Sequence, residues 1–63
     1  MVVGQSYIIK NTTNQRLMEM GVVKGIVVKC VKRVSGMIQL KLDNTYDIVI
    51  RKSMLKDIEY EKK

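Results

Sequence analysis

No histidine, proline, phenylalanine or tryptophan occurs in these 63 residues, and cysteine occurs once, as Cys30. Each absence closes off a class of function. Without histidine, acid–base catalysis near neutral pH would need a buried, perturbed carboxyl group, and Glu19 is the only acid before Asp43. One thiol with no imidazole falls short of the several nitrogen or sulfur ligands of a tight transition-metal site. Cys30 sits mid-strand on an apolar face with no base to activate it, so it reads as a small core residue rather than a nucleophile. Asp43 and Asp47 could suggest hard-cation ligands, but Asp43 is explained by turn chemistry and Asp47 by an outward strand position. The pattern Gly21-x-x-x-Gly25 lacks the following Lys-Ser/Thr of a phosphate-binding loop. No catalytic residue, metal ligand or cofactor is therefore expected.

Other absences bear on location. A single cysteine rules out an internal disulfide and fits a reducing compartment. Uninterrupted apolar runs are short, as in Ile26-Val27-Val28, whereas a helical membrane span needs about 20 residues. The opening Met1-Val2-Val3-Gly4-Gln5-Ser6 has neither a basic segment nor a long apolar one, so no secretory signal is expected. These features favour a soluble cytoplasmic protein, with residues 1–63 forming one small domain.

What the chain does carry is positive charge. Lysine and arginine number 12 against 6 acids, for a formal charge of +6. Residues 1–42 hold seven cations and one acid, while residues 43–63 hold five of each. A one-sided field of this kind steers anionic partners, and it also keeps a small domain soluble.

The hydrophobic pattern is mostly of period two. Ser6 to Lys10 reads as a first strand, ended by Asn11-Thr12-Thr13-Asn14. Thr12 and Gln15 match a capping box for a short helix over Thr13 to Met20, with Leu17 and Met20 on its buried face. Gly21 supplies the left-handed residue after the helix, and Val22-Val23-Lys24-Gly25 leads into the next strand. Ile26 to Val34 is the longest strand, with Ile26, Val28 and Cys30 on one face and Lys29 and Arg33 on the other. After a turn at Ser35-Gly36, Met37 to Leu42 alternates with Ile38, Leu40 and Leu42 inward. After a second turn at Asp43-Asn44-Thr45, Tyr46 to Arg51 places Tyr46, Ile48 and Ile50 inward. Lys52 to Lys56 loses the alternation and suits one helical turn. Asp57 to Glu61 closes the chain, with Ile58 and Tyr60 sharing a face. The result is an all-β, SH3-like five-stranded barrel with one short helix after the first strand. Closure is expected because a flat sheet this small would leave two exposed edges.

Lys29, Lys32, Arg33 and Lys41 give neighbouring strands a basic face that could meet nucleic acid. Single-strand binders add stacking aromatics to such a face. Tyr46 and Tyr60 are expected inward, and Tyr7 alone is a poor platform, so a nucleic-acid-binding barrel stands as the alternative. Met18 lies on the helix between Leu17 and Glu19, and Leu17 and Met20 cannot both share their face with it. Beside Val22 or Val23 it would form an adaptable apolar patch.

The stretch Leu17-Met18-Glu19-Met20-Gly21-Val22-Val23-Lys24-Gly25, followed by Ile26-Val27-Val28-Lys29, resembles the signature of the FeoA family, small cytosolic proteins of bacterial ferrous-iron uptake. Tyr46-Asp47-Ile48-Val49-Ile50-Arg51-Lys52 through Ile58 looks like the family's last strands, and Gly4 with Tyr7-Ile8-Ile9 like its opening. One departure is Lys24, where many members have proline before the second glycine. The resemblance implies an SH3-like barrel and a role as accessory to FeoB, the membrane transporter with a cytosolic GTP-binding domain. A similar barrel forms the C-terminal domain of some iron-dependent repressors, which provides a second alternative. The family is also associated with transition-metal binding, for which the residues here offer no ligand set. On this resemblance the helix and its exit loop (Arg16, Met18, Glu19, Val22, Val23 and Lys24) are the expected partner-binding surface. Leu17, Met20, Gly21 and Gly25 are the expected structural motif.

Overall fold

The computed structural model describes residues 1–63. Five antiparallel strands, β1 (Ser6–Thr12), β2 (Val27–Val34), β3 (Met37–Leu42), β4 (Tyr46–Arg51) and β5 (Ile58–Lys62), form one sheet in the order β4-β3-β2-β1-β5. A five-residue helix, α1 (Gln15–Glu19), lies between β1 and β2, and a 3-10 turn (Lys52–Asp57) joins β4 to β5. The architecture is all-β and SH3-like. It differs from the expected barrel in one respect: β4 and β5 end the sheet and are not paired, so two edges remain.

The alternating residues of the central strands build the core. Ile9, Val28, Cys30, Ile38, Leu40, Leu42 and Ile50 are all buried, and Leu17 of α1 and Ile58 of β5 join them. Both hairpin turns follow from local chemistry. Ser35 (φ 41°) and Gly36 (φ 84°) turn β2 into β3, and Asp43 (φ 50°) and Asn44 (φ 57°) turn β3 into β4. Paired left-handed residues of this kind match the natural twist of a hairpin. The hydroxyl of Thr45 also donates to the Leu42 carbonyl at 2.7 Å.

Three departures from the sequence pattern share one cause: a strand longer than its alternation suggests, or a register that shifts. β1 continues past Lys10 to Thr12, because a bulge at Lys10 resets its pairing and brings Thr12 opposite Ile58. Thr12 is thus a buried strand residue whose hydroxyl has no partner. The capping box does not form. Asn14 caps α1 instead, its Oδ1 accepting from the N–H groups of Arg16 (2.9 Å) and Leu17 (3.3 Å). In β2 a second bulge follows Cys30, so that Lys32 pairs with Gln39 and Arg33 with Ile38. A one-residue shift exchanges faces. Lys32 therefore joins Lys29 and Lys41 on the outer face. Arg33 leaves it, and its guanidinium donates to the Met1 carbonyl at 3.1 Å.

Candidate docking surface

The helix exit is held by the backbone. Gly21 N–H donates to Met18 O (3.0 Å) and Val22 N–H to Leu17 O (2.9 Å), the paired bonds of a Schellman termination. Gly21 has φ +102°, and a Cβ there would collide with the hydroxyl of Tyr46. That hydroxyl donates to the Met20 carbonyl at 2.9 Å, tying the start of β4 to the end of α1. At the other end of the helix, Asn14 Nδ2 donates to Asp57 Oδ2 (3.1 Å) and Thr13 N–H to the Asp57 carbonyl (2.9 Å). The helix segment is thus pinned at its exit to the start of β4 and at its entry to Asp57, just before β5.

This termination decides which expected contact residues reach solvent. Arg16, Met18, Glu19, Val23 and Lys24 are exposed. Val22 is not: it is 0% exposed, against 43% for Val23. As the second residue past the helix it folds back to pack in the core with Leu17, the apolar contact that accompanies this motif. Val22 is therefore withdrawn from the contact surface and belongs with the structural residues. Leu17 is buried, Met20 packs against the core, and Gly21 and Gly25 (φ +94°) both take left-handed backbone.

The tyrosines are arranged differently from the expectation. Tyr7, taken as the available ring, is buried in the core, and its hydroxyl accepts from Val2 N–H at 2.9 Å. Tyr60 packs against it edge to face, with ring centroids 5.2 Å apart. Tyr46, expected inward, is 48% exposed because it lies at the end of an edge strand and covers the helix terminus rather than the core. The basic outer face thus has no set of stacking rings. Lys29 and Lys41 are directly opposed across the β2–β3 pair, an arrangement that costs stability unless neutralised. Asp47 lies next to Lys41 on β4, and Gln39 Nε2 donates to its carboxylate at 2.7 Å. Lys10 alone among the cations is within ion-pair distance of a carboxylate, Glu61 at 3.5 Å.

The donor set does not fit a metal ion. Cys30 is fully buried among apolar side chains, and no three of the Cys, Asp and Glu side chains converge. No helix is long and apolar enough to cross a membrane.

Sequence reasoning missed the groove between α1 and β4. It has a volume of about 580 Å³ and is lined by Arg16 and Met20 from the helix segment, Val49, Ile50 and Arg51 from β4, and Met54 beyond it. The alternation in β4 marked Val49 and Arg51 as outward. Nothing in the sequence said that β4 would end the sheet beside the helix.

The fold and surface define a small, basic β domain with exposed faces on its helix exit and its β4 edge. The chain belongs to the FeoA domain family, whose model matches residues 1–62. That membership assigns it to the accessory components of ferrous-iron transport. Comparison with curated proteins finds no match, and comparison with solved structures finds none.

Proposed function

We propose that this chain is a non-enzymatic cytoplasmic accessory module that docks on the cytosolic domain of the FeoB transporter and modulates ferrous-iron uptake. The observation that carries the reading is the helix exit. On a chain of this family, Arg16, Met18, Glu19, Val23 and Lys24 form an exposed mixed patch on a backbone held by the Schellman bonds and the Tyr46–Met20 contact. A rigid patch is an inexpensive docking surface, because little side-chain and loop entropy is lost on binding. The surplus of unpaired lysine and arginine adds electrostatic steering toward an acidic partner.

Calorimetric titration of the chain with the transporter's cytosolic domain tests this. Binding at low ionic strength that weakens as salt is added is the expected result. A flat titration at low salt, where steering is strongest, overturns it. A combined Met18→Ser and Val23→Ser variant is expected to weaken binding about tenfold or more, a loss of at least ~1.4 kcal/mol, with the fold unchanged because both side chains are exposed.

A further inference from the structure

We propose that the free edge of β4, with the groove beside it, seats an extended segment of a partner protein as a sixth strand, apolar at its centre and carrying a carboxylate at the end that passes Arg51. The proposal deepens the docking reading above and rests on it only for the partner's identity.

Hydrogen-bond phase fixes which backbone groups of β4 are free. Lys52 N–H donates to the Gly36 carbonyl at 2.7 Å, in line with a β3–β4 register that pairs Ile38 with Ile50, Leu40 with Ile48 and Leu42 with Tyr46. In an antiparallel ladder, bonded pairs alternate with unbonded ones. The even-numbered residues of β4 therefore face β3. The N–H and C=O groups of Asp47 and Val49 point away from the sheet, where no strand receives them.

The two edges of the sheet are not alike. Exposed edges are usually blunted by charge, proline or a bulge. At the β5 edge, Glu59, Glu61 and Lys62 supply charge and the β1–β5 register is broken by a bulge. At the β4 edge the register is unbroken, and charge is confined to Asp47 and Arg51, with Ile48, Val49 and Ile50 between them. Val49 is 53% exposed and Met37, on the adjacent strand, 40%. An unblunted edge is the template for strand addition, in which backbone bonds give affinity and flanking pockets give selectivity.

The groove provides those pockets. Met20, Ile50 and Met54 give it apolar lining, and Arg16 and Arg51 give it guanidinium groups that have no carboxylate partner in the chain. No carboxylate lines it. Planar guanidinium groups match carboxylates in a bidentate fashion, which selects an acidic end on the incoming strand where it passes Arg51, away from Asp47 at the start of β4. The formal charge of +6 favours such a segment over a second copy of this chain.

The test uses the full chain, isotopically labelled, and a capped peptide of alternating valine and threonine with glutamate at one end. A lysine-ended peptide of the same core serves as control. Amide shifts confined to Asp47, Val49, Arg51 and Arg16, with slowed hydrogen exchange at Asp47 and Val49, are expected for the glutamate-ended peptide only. Val49→Pro removes the outward N–H along with the Val49 side chain and is expected to abolish binding, whereas Val49→Ala, which keeps the N–H, is expected to retain most of it. Arg51→Glu keeps the backbone and is expected to weaken binding about tenfold or more. No shifts, shifts centred on Met18 and Val23, equal binding of the lysine-ended control, or self-association through β4 would each overturn the proposal. Because no transporter domain is present, failure here leaves the docking reading standing. Conversely, a transporter domain that binds Val49→Pro as tightly as the original chain defeats this inference alone.

Discussion

β3 and β4 carry nearly the same alternating pattern and reach different depths. In β3 the inward residues Ile38, Leu40 and Leu42 are all buried. In β4 only Ile50 is; Ile48 is half-buried and Tyr46 half-exposed. β3 lies between β2 and β4, so each inward side chain meets cross-strand neighbours on both sides, whereas β4 has one neighbour and an edge. Periodicity decides which way a side chain points. Place in the sheet decides how far it is covered.

The largest effect that tests this contrast is Leu40→Ala. A buried leucine truncated to alanine costs about 2–5 kcal/mol, comparable to the ~3–5 kcal/mol a core of this size supplies. Loss of cooperative unfolding by circular dichroism is expected. Ile48→Ala, directly opposite Leu40, should cost clearly less in urea titration, and equal losses would break the comparison.

Gly21→Ala comes next, at about 1–3 kcal/mol for backbone strain, with the collision against Tyr46 adding to it. Combining it with Tyr46→Phe should recover part of that loss, because the obstructing hydroxyl is gone. Strict additivity in the double-mutant cycle would show that the two do not touch.

Tyr46→Phe alone removes the bond to the Met20 carbonyl and should cost about 0.5–1.5 kcal/mol. Faster amide exchange is expected at α1 and at the start of β4, and not in β3. The smallest effect belongs to Val49→Lys, on the exposed face of β4, where stability should move by no more than about 0.5 kcal/mol. A loss near that of Ile48→Ala would mean that the edge is covered.

Much of the fold is legible in the sequence. The two hairpin turns, the inward set of β3, the buried Cys30 and the glycine after the helix all follow from interactions within a few residues, and local chemistry writes them into local sequence. Thr12 and Arg33 mark where that legibility ended. Each was misassigned because a one-residue bulge in β1 or β2 reset the alternation beyond it, and a bulge in a strand without glycine or proline leaves no local mark. Val22 and Val23 are adjacent and chemically identical, yet one lies in the core and the other in solvent, because the Schellman bonds direct the chain between them. Exposure was thus readable on the helix but not at its exit.

Composition and spacing alone determined that this chain has no imidazole, too few thiols for a metal, a surplus of cations on its first two-thirds and strands that alternate toward one core. Tertiary structure alone decided that the sheet stays open, that β4 ends it, and that Arg16 and Met20 meet Val49, Ile50 and Arg51 around one groove with two guanidinium groups in its lining. The division has a physical reason. Turn, cap and strand preferences are energies of neighbours in sequence, while an edge and the groove beside it exist only once residues far apart in the chain have taken their places.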